Sequence, residues 1–379
     1  MHLTQALTQT VGVRIAIVGT TASGKSALSE RIAAELNNRG RSAEIVSADS
    51  MCVYRGMDVG TAKPSKQDQQ RWPTHGIDLV NPDEEFSVAE YQRYAMKVLR
   101  EIEGRGAVPI LVGGTGLYVD AVVNELTMPP QFPEIKTALS EELRSGTPIF
   151  ELYARLVTLD PDAAVKMESN NERRIVRALE VCVGSGRRFS SFGPGLVAAA
   201  GATQAAMPGS DLAPVVQGTS SEPSWVICGP IWPRPQLRER IAQRFSEQLS
   251  DGFVEEAASV LSRFGETRSK TARQALGYRE LWAHLGGECS LSEAIDRAIL
   301  RTGQFAVRQE RWFRRDQRIN WIPCQGLDPE HSGRTGQVDG QAVGKVEGQA
   351  EGQGASCFEN LGEAPNDVEV SRIVNLVLS

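Results

Sequence analysis

Three observations in the sequence predict an α/β fold, a parallel sheet flanked by helices. Short apolar β-type runs alternate with stretches whose apolar residues fall at helical spacing. The first run, residues 13–18, leads into a glycine-containing loop and then into Leu28, Ile32 and Leu36. A later run, residues 108–112, again ends in glycines. In sheets of this kind ligands bind beyond the carboxyl ends of the strands, so the loops after these runs are where chemistry is expected.

The elements follow in chain order. Residues 44–46 form a second strand candidate that runs into Ser47, Ala48 and Asp49. Ser87 with Glu90 makes a capping box ahead of a helix that buries Tyr91, Ala95, Val98 and Ile102 and stops near Gly104. From about residue 129 to 187 the pattern is helical, with Leu139, Leu143, Leu152, Leu156, Ile175, Leu179 and Val183 as the expected buried positions. Residues 225–231 resume a strand, 233–312 are helical again, and 318–322 read as a last edge strand. After Pro323 comes a degenerate four-residue repeat with glycine at 336, 340, 344, 348 and 352, which lacks the apolar surface needed to offset its ordering entropy. Beyond it, Val368, Val370, Ile373, Val374 and Val377 are spaced for a small helix.

The chain accordingly divides into five segments. Residues 12–128 are the first part of the α/β core, 129–192 a helical insertion domain, and 193–224 a flexible insert rich in Gly, Ala, Ser and Pro. Residues 225–323 complete the core with a basic helical region, and 324–379 form a low-complexity acidic tail expected to be disordered.

Composition narrows the function classes. The 379 residues are 41% hydrophobic and 23% charged, ordinary globular usage that excludes a chain disordered or fibrous throughout. Residues 325–379 carry nine acids against three bases, which accounts for the whole formal charge of -6 and leaves the body neutral. The six cysteines are far apart and without a CxxC pair, so reduced thiols in a cytoplasmic protein are expected rather than zinc ligands or disulfides. No basic region precedes an apolar one at the N-terminus, and the uncharged run 189–210 is interrupted by Pro194 and Pro208, so neither secretion nor membrane association is expected.

The strongest local pattern is Gly19-Thr20-Thr21-Ala22-Ser23-Gly24-Lys25-Ser26, the P-loop spacing in its proper place between a strand and a helix. Backbone N–H groups of these eight residues can cradle a diphosphate, Lys25 adds a cation to its oxygens, and the Ser26 hydroxyl is a candidate magnesium ligand. An ordinary glycine-rich turn is the bland alternative. A phosphate loop does not name a reaction. Nucleotide hydrolases add an apolar strand ending in a metal-binding acid, but residues 108–112 run into Gly113-Gly114-Thr115-Gly116 instead. The acid on hand is Asp49, which could otherwise serve only to cap a turn. Arg301, Gln304, Arg308, Arg311 and Arg315 recur every three or four residues, and 297–318 hold seven arginines against two acids. Such a strip can track RNA phosphates, or be a solvated helix face. Trp312 and Phe313 beside it are expected in the core rather than stacked on bases.

Taken together these residues resemble the tRNA dimethylallyltransferases, also called tRNA isopentenyltransferases. The matching blocks are GTTASGKS at 19–26, ADSMCVYRGMDVGTAKP at 48–64, HGIDLVNPDEEFSVAEYQ at 75–92, VGGTGLY at 112–118, RRIVRALEV at 173–181, QALGYRE at 274–280 and RQERWFRRD at 308–316. The resemblance implies a P-loop NTPase-like fold and transfer of a dimethylallyl group from dimethylallyl diphosphate to N6 of the adenosine 3′ of the anticodon, with Mg2+. It implies that Asp49 takes the N6 proton, that Lys25 and Arg240 act on the diphosphate side beside Thr21, and that Ser50, Met51, Cys52 and Thr115 meet the target nucleotide. Arg173, Arg174, Arg177, Gln274, Gly277, Tyr278 and Arg279 match tRNA-contacting segments, with Lys136 more loosely aligned and Arg308 and Arg311 on the basic stripe. The implied partners are a tRNA anticodon stem-loop and dimethylallyl diphosphate, with the protein a monomer. Departures from the family pattern are Thr20 for proline, Cys52 for glutamine, and Gly303 and Val307 where bases are common. Two other readings stay open: an ATP-binding P-loop phosphotransferase, and a catalytically silent RNA-binding relative.

Overall fold

The computed structural model describes residues 12–192, 224–324 and 367–378. Six strands form one parallel sheet in the order β3-β2-β4-β1-β5-β6: β1 (Val13–Val18), β2 (Ala43–Ser47), β3 (Thr74–His75), β4 (Val108–Gly113), β5 (Ser224–Ile231) and β6 (Asn320–Pro323). β1 lies centrally, with Ile15 level with Ile110 on one side and Val226 on the other. Covered on both faces, it is apolar at every position except Arg14, which is buried and paired with Glu103, rather than alternating. β3, only two residues long, shows no period in sequence and is not predicted from it.

Helices cover both faces of the sheet. On one side lies α1 (Lys25–Asn38), whose Leu28, Ile32 and Leu36 pack on Ile15, Ile17 and Ile110. After the short surface helix α2 (Lys66–Arg71) comes α3 (Val88–Gly104), held at its start by the Ser87/Glu90 capping box. With α4 (Gly116–Val123), α3 covers the opposite face through Tyr91, Val98, Leu99, Ile102, Val119 and Val122. Tyr91 stacks on Tyr118 at 4.1 Å and its hydroxyl donates to Ser47 O, which braces the end of β2.

The insertion builds its own small core from α5 (Pro133–Arg144), α6 (Ile149–Leu159), α7 (Pro161–Ala164) and α8 (Glu172–Ser185), centred on Leu139, Leu152, Leu156, Ile175 and Leu179. Val183, expected inside, is 55% exposed in the last turn of α8. The second helical stretch comprises α9 (Arg234–Ser250), α10 (Phe253–Phe264), α11 (Tyr278–Leu285) and α12 (Leu291–Phe313). These helices bury Val53, Tyr54 and Met57 of the segment after β2. Phe313 is buried and Trp312 packs beside it, as expected.

The insert expected at 193–224 lies outside the described residues except for Ser224, which begins β5, and so does the tail up to residue 366. The far end of that tail is the exception, for α13 (Asp367–Leu378) seats Val370, Ile373, Val374 and Val377 in the core under α1. Polar contacts fasten it there: Arg31 to Asp367, and Arg39 to Asn375.

Candidate active site

Parallel pairing brings the carboxyl ends of β1, β2 and β4 to one edge, and the three glycine- and acid-bearing loops therefore meet. The close approach is built into the sequence: a Cβ on Gly113 would lie 2.2 Å from Ala48 O, so only glycine lets the end of β4 pass the Asp49 loop. Residues 19–24 wrap the start of α1, with Gly24 in the left-handed region as its N-cap. Ser23 is buried and donates to Thr20 O, while Lys25 is half-buried with its amine on the same carbonyl. Ser26 stands exposed at the helix start.

Asp49 and Thr115 face this loop across a cavity of about 250 Å³, lined also by Thr21, Met51, Arg244, Phe245, Phe253 and Arg308. The Asp49 Oδ1 accepts from Met51 N at 2.8 Å, which closes a tight turn. Ser50 N donates to Thr115 Oγ1 at 3.1 Å, and the Thr115 hydroxyl reaches Ser50 Oγ at 3.3 Å. The loops that carry Asp49 and Thr115 are thus joined to each other directly.

The far wall is clamped in the same fashion. Glu256 accepts from Asp58 N and Val59 N at 2.8 Å each, from Gly60 N at 3.0 Å, and from the Tyr278 hydroxyl. Gln248 donates to Val59 O and Gly60 O. Gly60 lies so close to Phe253 and Tyr278 that a Cβ would collide with both rings.

Charge in the cavity is arranged around Asp49. Burial pushes the Lys25 amine down to about 8, with nearby Arg244 adding to the fall and Asp49 opposing it. Burial likewise lowers Arg244, again against Asp49. Two cations and one carboxylate in a partly dry site suit a polyanionic ligand that brings its own charge. Burial raises the Cys52 thiol, which stays protonated.

The expected site residues separate into three groups. Thr21, Ala22, Asp49, Ser50, Met51, Thr115, Gln274, Tyr278 and Arg308 line the cavity. Arg240 does not: its Nε donates to Ala22 O, its plane lies 4.1 Å over Trp232, and its guanidinium rests against Gly24, so it braces the phosphate loop from behind. Cys52 is buried with its thiol toward Thr61 O, which puts the departure from glutamine beneath the loop and off the cavity wall. Gly277 and Tyr278 are buried among Phe245, Phe253 and Glu256 and offer no surface to a macromolecule. Arg177 is engaged with Glu180 and Pro129 O, tying the insertion to its connection. Lys136, Arg173, Arg174, Arg279 and Arg311 are exposed, as contacts to a large partner must be, whereas Arg301 of the stripe is held by buried Glu280.

Sequence reasoning misses Gln309, Glu256 and Gln248 and gives Arg244 no role. Arg244, one helical turn after Arg240, donates to Thr21 Oγ1 at 3.1 Å and is the arginine that faces the cavity. Gln309 carries a signal, since it sits in phase with buried Ala306 and Phe313, where a polar residue must find partners.

Comparison with known proteins follows the same lines. Residues 52–316 match the family model for IPP transferase. The tRNA dimethylallyltransferase of Thermobifida fusca (strain YX) is 40% identical over 314 residues, which is 83% of this chain and 91% of that one. The crystal structure of the tRNA isopentenylpyrophosphate transferase of Bacillus halodurans, at 33% identity, covers 82% of this chain and 90% of its own, with a TM-score of 0.55. A eukaryotic dimethylallyltransferase crystallised acting on tRNA shares the fold at a TM-score of 0.65 and 24% identity, over 82% of this chain and 74% of that one. With the family model spanning more than half of its length and a relative 40% identical over 83% of it, the chain belongs to the IPP transferase family.

Proposed function

We propose that the protein transfers the dimethylallyl group of dimethylallyl diphosphate to N6 of the adenosine 3′-adjacent to the anticodon, position 37, of tRNAs, releasing diphosphate. The observation that carries the reading is that Asp49 and Arg244 line one cavity with Thr21 of the phosphate loop, and that the Lys25 amine lies within electrostatic reach of both. The allylic C–O bond breaks with its electron pair leaving on diphosphate, and the N6 lone pair forms the new C–N bond. Loop N–H groups, Lys25 and Arg244 hold the departing charge in a preorganised setting, with Arg240 keeping the loop in shape. As N6 bonds to carbon it becomes acidic, and Asp49, with Oδ1 anchored on Met51 N, takes its proton.

Magnesium fits this donor set. It is a hard cation that takes oxygen donors, and a hydroxyl beside the phosphate loop supplies one. Ser26, exposed at the helix start, is the hydroxyl that would hold it, and the ion would neutralise charge on the leaving group.

An adenosine in a stacked anticodon loop must be displaced to reach the cavity, a cost lowest for unpaired bases. Exposed Arg308, at the cavity rim, and Arg311 on the same helix supply phosphate contacts for the stem-loop. The free thiols at Cys52, Cys182, Cys228, Cys289 and Cys324 support a reducing compartment, the cytoplasm, for this enzyme; among the described residues no helix is long and apolar enough to cross a membrane.

The test is incubation with unmodified tRNA, dimethylallyl diphosphate and magnesium, followed by mass spectrometry of the nucleosides. N6-(dimethylallyl)adenosine is the expected product. Phosphate transfer from ATP with no prenylated nucleoside would overturn the reading in favour of a kinase.

A further inference from the structure

Gln309 is a polar side chain only 6% exposed, in the last two turns of the helix that carries the basic stripe. Its amide is used at both ends. Oε1 accepts from Thr21 N at 2.8 Å, and Nε2 donates to Gly114 O at 2.9 Å. Thr21 belongs to the phosphate loop and Gly114 to the loop that carries Thr115, so one side chain spans the two halves of the site across 288 and 195 positions of sequence. The fit is close: a Cβ on Gly114 would lie 2.3 Å from Gln309 Nε2 and 3.1 Å from Gly19 O.

We infer that Gln309 is the positioning residue that sets the phosphate loop against the target-base loop, and that it does so from the helix whose outer face meets the tRNA. This rests on the transferase reading above. Thr21 is held from two sides, its N–H by Gln309 and its hydroxyl by Arg244, so its N–H is not turned to the diphosphate and the cradle is formed by the remaining N–H groups of the loop. The adjacent Arg308 is exposed at the cavity rim, so the residue that meets the RNA backbone and the residue that fixes the loops are consecutive. An amide meets both demands at any pH, since one end accepts from an N–H while the other donates to a carbonyl. A displacement of either loop by about 1 Å separates the reacting atoms from alignment, which costs on the order of 10²-fold in rate.

The test uses the full chain with Gln309→Leu and Gln309→Glu. Gln309→Leu removes both hydrogen bonds, and turnover should fall on the order of 10- to 100-fold while direct binding of an anticodon stem-loop stays within about twofold. Gln309→Glu is the sharper probe and stands alone if the leucine variant does not fold. Its ionised carboxylate still accepts from Thr21 N but confronts Gly114 O with no donor, whereas its protonated form restores both bonds. The ratio of Gln309→Glu to parent turnover should therefore rise as pH is lowered from about 8 to 6, measured where circular dichroism shows both chains fully folded at every pH so that a pH-dependent loss of stability does not enter. Undiminished turnover in Gln309→Leu, or a pH-independent ratio in Gln309→Glu, overturns the inference. Inactivity of the parent chain on tRNA would instead overturn the transferase reading, so the two failures are distinct.

Discussion

Replacing Asp49 with asparagine removes one negative charge while leaving the local turn in place, because an amide oxygen can still accept from Met51 N at the 2.8 Å position. Two consequences follow from the surroundings. The first is loss of the proton acceptor, commonly worth about 10² to 10⁴ in rate, or about 2.7 to 5.5 kcal/mol of barrier. The second acts through Lys25, whose amine burial already holds at about 8 and for which Asp49 is the foremost group opposing that fall. Without Asp49 the lysine gives up its proton at still lower pH. A lysine with a depressed value is fully charged below that value and neutral above it, so affinity for the diphosphate is complete at low pH and declines as pH rises through the free-protein value. In the parent the decline should set in near pH 8, and in Asp49→Asn below it. Single-turnover prenylation of an anticodon stem-loop measures the first effect, and calorimetric titration with magnesium pyrophosphate across about pH 6 to 9 measures the second. Full recovery of turnover at high magnesium would refute the assignment of Asp49 as base. An unshifted onset of weakened binding would refute the electrostatic link to Lys25.

Changing both Arg308 and Arg311 to glutamine should weaken tRNA binding and flatten its salt dependence by about one unit of slope for each phosphate no longer neutralised, with pyrophosphate affinity unchanged; an unaltered slope would mean that the stripe is a solvated face. Asp120, buried and bonded to Trp312 Nε1 at 2.9 Å, has its carboxyl raised to about 7, chiefly by burial. An acid with a raised folded value stabilises the fold below its unfolded value near 4 and loses that contribution as pH rises through about 7, so Asp120→Asn should gain stability relative to the parent between about pH 5 and 8, by about 2 to 3 kcal/mol. Denaturation at the two pH values reads the difference, and a gap that does not change with pH would refute it. Glu256→Gln sets an NH2 group against two of the donors from Asp58, Val59, Gly60 and Tyr278, and it should cost on the order of 2 to 3 kcal/mol and several degrees of Tm, seen by thermal unfolding. A stability loss below about 0.5 kcal/mol would show that the loop is held by its ring contacts alone.

What can be read in advance depends on how local the cause is. The phosphate loop needs consecutive residues between a strand and a helix, and the capping box at Ser87 and Glu90 spans four, so both are visible along the chain. β3 pairs only two residues with β2, too few for any period, and its position is set by the sheet rather than by its own side chains. Gln309 and Glu256 work through partners nearly 200 or more positions away, and nothing in their immediate neighbours shows which backbone groups they will meet. Arg177 reads as an RNA contact in sequence because its block, 173–181, resembles a tRNA-contacting segment of the family. It is consumed by Glu180 and Pro129 O, a demand created by the insertion's own packing. Arg240 and Arg244 share one helical face by their spacing, yet which of them turns toward the cavity depends on Trp232 being ready to take the first.

The seating of α13 against α1 carries a consequence for biosynthesis. Arg31 and Asp367 lie 336 positions apart, so the helix that bears the phosphate loop waits for all of the intervening residues to be made before its apolar flank is closed. During translation that flank, with Val13 and Leu36 beside it, stays open to solvent and to other chains. Closure so distant in sequence also raises the entropic cost of the final docking step, which slows it relative to the local helices. Nascent chains halted before residue 367 are therefore the population most in need of a chaperone, even though every residue of the cavity has already been synthesised.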